Sequence, residues 1–147
     1  MLGKTANGLF WMYRYLERAE NTSRLVETGE RIALTRLSAS DDEWLSVLQS
    51  GGVYKDFQEH HNEVTKEAAI DWMLRNKHNP SSVLSSIMAA RQNARMVRTA
   101  LTGEVWGAVN SAYMQTTDLL ARKVAERDLP YVLKSIRQQT ALVRGAT

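Results

Sequence analysis

The chain has 147 residues, 44% hydrophobic and 24% charged, enough for one domain with its own core. It contains no cysteine, which excludes a disulfide framework, a thiolate zinc site and a cysteine nucleophile. Net charge is +3, yet residues 1–74 hold 8 basic against 12 acidic side chains and residues 75–147 hold 11 against 4. This split reads first as acidic and basic helices facing one another, within a bundle or across a subunit contact, ahead of a nucleic-acid surface.

The N-terminal string MLGKTANGLF lacks the apolar run of a signal peptide, and no window approaches the ~18 apolar residues of a membrane span. The expectation is a cytoplasmic protein with no membrane partner. Strand-like alternation over four or more residues is essentially missing, so the fold class expected is all-α. The first helix is expected over about 5–34, with Leu9, Met12, Leu16, Ala19, Ser23, Val26, Glu30 and Ala33 in one mostly apolar seam. Arg14, Glu17, Asn21, Arg24 and Arg31 share another arc of that helix. Ser40-Asp41-Asp42-Glu43 reads as a capping box for a short second helix carrying Trp44, Leu45 and Leu48, stopped by Gly51-Gly52. A weaker helical turn follows from Tyr54 to about His61, then a helix from Val64 to Leu74.

Asn79-Pro80 is expected to cap and open a helix reaching about Leu101. Val83, Ile87, Ala90, Ala94, Val97 and Leu101 form its heptad seam, and the two alanines allow a neighbouring helix to come close. After Thr102-Gly103 a further helix carries Val105, Val109, Ala112 and Leu120. Asp128-Leu129-Pro130 starts the last helix, with Gly145 expected to end it. The whole is expected to be a single domain over 1–147: an antiparallel bundle of about six helices, the longest near 5–34 and 80–101.

Glu17 and Arg18 are adjacent, so on a helix they point about 100° apart and cannot pair with each other. Glu17 is expected to close an ion network with an arginine, on its own helix or on helix 80–101. The functional reading is an acid and an arginine in a pocket that holds a carboxylate, phosphate or peptide, using the planar guanidinium fork. Arg91, Arg95 and Arg98 form a stripe at i, i+4, i+7, expected to answer Glu17, Glu20 or Glu27. Asn93, on the alanine-rich side, is expected to be a register-setting hydrogen bonder. Glu59-His60-His61-Asn62-Glu63 raises a metal site: Glu59 and Glu63 share a face and His60 stands three before Glu63. Adjacent histidines diverge, however, and no fourth ligand is evident, so a polar helix end is the ordinary reading. His78 is read as solvated. No cofactor is expected, since no glycine-rich phosphate loop or nucleophile–base arrangement stands out.

Two strings, LFWMYRYLERAENTSRL and NPSSVLSSIMAARQNARMVRTALTGEVWGAVN, resemble the alpha-E domain family of bacterial proteins. That family is named for a helical domain with a Glu-Arg pair, here Glu17-Arg18. The resemblance implies a correspondence to the N-terminal half of longer, two-copy relatives. It also implies a partner role, because family genes often sit beside those for an ATP-grasp ligase of permuted order and a transglutaminase-like protease. The function expected is a non-catalytic binding or scaffold component of a peptide-forming or protein-modifying system. The alternative is an enzyme half using a Glu/Arg pocket, and the third reading is a nucleic-acid-binding bundle. The ligand-binding or polar-network residues singled out are Arg14, Glu17, Arg18, Asn21, Arg91, Asn93, Arg95 and Arg98. A homodimer is expected as well, since Phe10, Leu25 and Ile32 project off the main seam of the first helix.

Overall fold

The computed structural model describes residues 2–35 and 42–147. The helices are α1 (Leu2–Thr35), α2 (Asp42–Ser50), α3 (Tyr54–His60), α4 (Lys66–Leu74), α5 (Val83–Met96), α6 (Gly103–Leu119) and α7 (Leu129–Ala146). Short 3-10 turns occur at Arg98–Ala100 and Glu126–Asp128. Among the described residues there is no strand, and no helix is long and apolar enough to cross a membrane.

Four helices close a ring: α1 packs on α5 and α7, and α6 packs between those two on the far side. Their directions follow from the contacts. Gly8 of α1 meets Val97 just past the end of α5, while Thr22 donates to the Ser81 carbonyl before its start, so the pair is antiparallel. Glu20 meets Arg144 and Glu27 meets Arg137, which makes α7 antiparallel to α1. Arg91 meets Asn110 and Arg98 meets Trp106, which does the same for α5 and α6. The result is an up-down bundle, as expected.

Periodicity explains the core. On α1, Gly8, Met12, Leu16, Ala19, Ser23 and Val26 are buried, at three- and four-residue steps that keep them on one side. On α5, Val83, Ile87, Ala90 and Ala94 follow the heptad seam. They meet Val105, Val109 and Ala112 of α6 and Val132, Ile136 and Val143 of α7. Each large apolar side chain so buried contributes about 1.5–3 kcal/mol. The short helices α2, α3 and α4 add a second apolar layer in which Trp44, Leu48, Phe57, Trp72 and Met73 are enclosed. This layer lies against α1 and the start of α5.

The helix expected near 80–101 is shorter than its sequence pattern. Asn79 does not cap it. Its side chain is buried, donates to the Trp72 carbonyl (2.9 Å) and accepts from the Ser81 amide (3.0 Å). Pro80 lies within a turn closed by the Ser82 amide on the Asn79 carbonyl. The cap is Ser82, whose hydroxyl accepts from the Ser85 amide at 3.1 Å. At the other end the Val97 amide is shared between the Asn93 and Ala94 carbonyls, both at 3.2 Å. Such sharing tightens the last turn into 3-10 geometry and ends the α-helix at Met96. Thr102 then caps α6 by accepting from the Val105 amide. Gly145 lies inside α7, which runs on to Ala146. Ser40 and Asp41 of the expected capping box lie outside the described residues.

Candidate functional site

One face of α1 carries a cleft of about 220 Å³, lined by Arg14, Glu17, Arg18, Asn21, Thr22 and Leu25, with Ser50, Gly51 and Ser81 opposite. The helical repeat explains the grouping: Arg14, Arg18, Asn21 and Leu25 step by four, three and four residues, so one turn stacks on the next. Thr22 is buried beneath them, its hydroxyl 3.3 Å from the Ser81 carbonyl. Arg14 and Glu17 approach to only 3.8 Å, with side chains 52% and 61% exposed. The Arg18 guanidinium lies 5.4 Å from the centre of the Tyr15 ring, and Tyr15 in turn contacts Trp11. Such a cation–π seat orients the fork without using up its N–H donors. The cleft therefore offers guanidinium donors, one carboxylate acceptor and one amide.

The other residues singled out from the sequence lie elsewhere. Arg91 donates to the Asn110 side chain at 3.3 Å and covers the Tyr113 ring at 4.6 Å. Arg98 covers Trp106 at 4.9 Å. Both turn toward α6, so the stripe does not answer the acids of α1. Arg95 is exposed. Asn93 donates to the Ala89 carbonyl of its own helix at 2.9 Å and so sets no register between helices. The α5 stripe follows the α5/α6 seam, and the eight residues do not converge on one site.

Arginines from α7 instead answer the acids of α1. Glu20 accepts from Arg24 at 2.6 Å and from Arg144 at 3.2 Å. Glu27 accepts from Arg31 at 3.3 Å and from Arg137 at 3.0 Å. A signal for this was present: Glu20 and Glu27 are seven residues apart, as are Arg137 and Arg144. A larger cleft, of about 320 Å³, lies between α4 and residues 123–129 over Ile70, Leu74 and Leu129. Its rim charges are already matched: Lys66 with Glu126 and also with Glu30, Lys123 with Glu67, and Arg75 with Asp71. Burial pulls the Lys66 ammonium down, but its hydrogen bonds to Glu126 and Glu30 outweigh that and raise its pKa. The same bond lowers the pKa of Glu126. The histidines gather around the second apolar layer. His61 stacks on Phe57, His60 lies against Trp72, and His78 stacks on His60 with ring centres 4.9 Å apart.

A family model for a predicted alpha-helical domain with a conserved ER motif, Alpha-E, matches residues 1–147. The chain belongs to the Alpha-E family. No curated protein and no solved structure matches it. This Alpha-E chain contains three Glu-Arg dipeptides, at 17–18, 30–31 and 126–127. They differ in what the fold does with them. Glu30 and Glu126 both bind Lys66 and join α1, α4 and the turn before α7. Among the described residues Glu17-Arg18 joins no two elements of the Alpha-E fold, and it faces the cleft.

Proposed function

We propose that this domain is a non-catalytic binding component, with the α1 cleft as its recognition surface. In this reading it works beside an ATP-grasp-type ligase and a transglutaminase-like protease in a bacterial peptide-forming or protein-modifying system. The supporting observation is that Arg14, Glu17, Arg18 and Asn21 line one cleft while, among the described residues, their charges hold no two elements of the fold together. Charged groups that serve packing are normally tied into it, as Glu20 and Glu27 are here. The Arg14 and Arg18 forks suit a carboxylate, and Glu17 and Asn21 suit the N–H groups beside it. That combination matches the polar groups of a peptide. Self-association belongs to the same reading, since Phe10 and Ile32 of α1 are 56% and 38% exposed.

The test uses a purified ATP-grasp-type ligase and a transglutaminase-like protease from the same source as the domain, titrated separately against it by calorimetry. At least one is expected to bind, and Arg14→Glu with Arg18→Glu should weaken that binding about tenfold or more, worth roughly 1.4 kcal/mol. Unchanged affinity in the double variant, or no binding to either protein, would refute the reading. Turnover of ATP and peptide by the domain alone would favour the enzyme alternative. Sedimentation at micromolar concentration checks the dimer, and a persistent monomer would count against it.

A further inference from the structure

We propose that the seam between α1 and α7 is a docking site for an acidic helical segment of another protein. The site is separate from the α1 cleft and rests on different residues. Glu20 and Glu27 each hold two guanidiniums: Arg24 with Arg144, and Arg31 with Arg137. The carboxylates lie inward, with the Glu20 side chain only 9% exposed, whereas the four arginines are 42% to 71% exposed. Each acid thus acts as an anchor that fixes two cations facing outward, and it neutralises only one of them. Lys134 joins Arg24, Arg137 and Arg144 around a cleft of about 270 Å³ lined also by Gln138 and Ala141. The Nε of Arg137 is enclosed and has no acceptor among the described residues.

The geometry selects the partner. The two guanidinium pairs are seven residues apart on both helices, which is about 10.5 Å along the axis. A helix presenting carboxylates at i and i+7 repeats at that same distance, so both pairs can be met at once. Each guanidinium still has free N–H groups for a bidentate contact. Gln138 and Ala141 leave room between the pairs for a second helix to lie close. Tyr131 and Leu142, in one row with Gln138, are 67% and 59% exposed and supply apolar contact beside the charges. A nucleic-acid backbone fits less well, because its unbroken row of phosphates would also pass over the neutral Gln138 and Ala141 between the pairs and the apolar Tyr131 and Leu142 beside them. A helix can place neutral residues there.

The experiment measures fluorescence anisotropy of a labelled helical peptide with Glu at every seventh position. The control peptide has the same composition with its Glu residues adjacent, and a DNA duplex serves as competitor. The heptad peptide is expected to bind, with affinity falling as salt rises, since exposed charges are screened. Arg24→Gln with Arg31→Gln should weaken it about tenfold. These two changes leave the Glu20–Arg144 and Glu27–Arg137 ties in place. A thermal melt confirms that the fold survives, and Lys134→Gln, which touches neither tie, is the second variant should it not. Weaker binding in either variant, with clear preference over the control peptide, supports the site. Equal binding of both peptides, no binding, unaffected variants, or tighter binding of DNA would each overturn it.

Discussion

Glu17 and Glu20 are three residues apart on α1 and have opposite fates. Glu17 is 61% exposed and holds Arg14 loosely at 3.8 Å, whereas Glu20 is 9% exposed and holds two arginines. Glu17 thus meets an arginine of its own helix, as expected, but the pair is exposed and closes no buried network. Glu17→Ala should change stability by no more than about 0.5 kcal/mol, as exposed pairs do. Glu20→Ala should cost about 2 kcal/mol, the range for charged hydrogen bonds lost. Urea midpoints of the two variants measure this directly. Asn79 matters through its buried side chain rather than as a cap. Asn79→Ala removes two side-chain hydrogen bonds at an enclosed site, and a loss of about 2 kcal/mol is expected by the same measurement. The sequence made these residues visible as polar groups on a helix or at a turn. It did not show which neighbour would cover Glu20 and leave Glu17 open.

Helices were legible where their apolar spacing was long and unbroken. The seams of α1 and α5 are buried along most of the lengths read from the sequence. The ends were less legible, because they depend on which backbone amide a neighbouring turn claims, as at Asn79 and Val97. Ala90 and Ala94 were read as letting some neighbouring helix come close; α1 packs on α5, and Gly8 contributes to that contact from the other side. A Cβ on Gly8 would lie 2.4 Å from Cγ1 of Val97. Gly8→Ala should therefore destabilise by about 1–3 kcal/mol through overpacking, despite the better helix propensity of alanine. Adding Val97→Ala should recover part of that loss, giving a double-mutant cycle with clear coupling between the two positions. Additive melting shifts would show that α1 has room to move.

For the whole molecule, the helical class and the opposed acidic and basic halves were readable in composition. The α1/α7 ion pairs are a direct expression of that asymmetry. The four α1 site residues were readable as a group because helical spacing alone brings them together. The α5 residues were not, because their orientation depends on α6. Lys66 was missed altogether, since its partners lie 36 and 60 residues away. This tie gives a pH signature. Glu126, lowered from its ordinary 4.5, contributes stability that is present above that value and lost as pH falls through its lowered pKa. Lys66, raised from its ordinary 10.5, contributes stability present below that value and lost as pH rises through its raised pKa. Lys66→Gln should therefore lower the urea midpoint by a constant amount between those limits and converge on the parent protein at alkaline pH. A difference that persists above the raised pKa of Lys66 would show that the charge is not what the tie contributes.

The antiparallel pairing of α1 with α5 also bears on how the chain comes off the ribosome. Gly8 packs against Val97, 89 positions later, and Glu20 waits for Arg144 at the far end of α7. At about 5–20 residues per second, α1 spends several seconds with its apolar seam unmatched before α5 has been made. Helices α2, α3 and α4 are completed in that interval, and α2 and α4 pack against α1 in the finished fold. They are the first of its final neighbours to exist, and so the first available to shelter a helix whose main partner has yet to be synthesised.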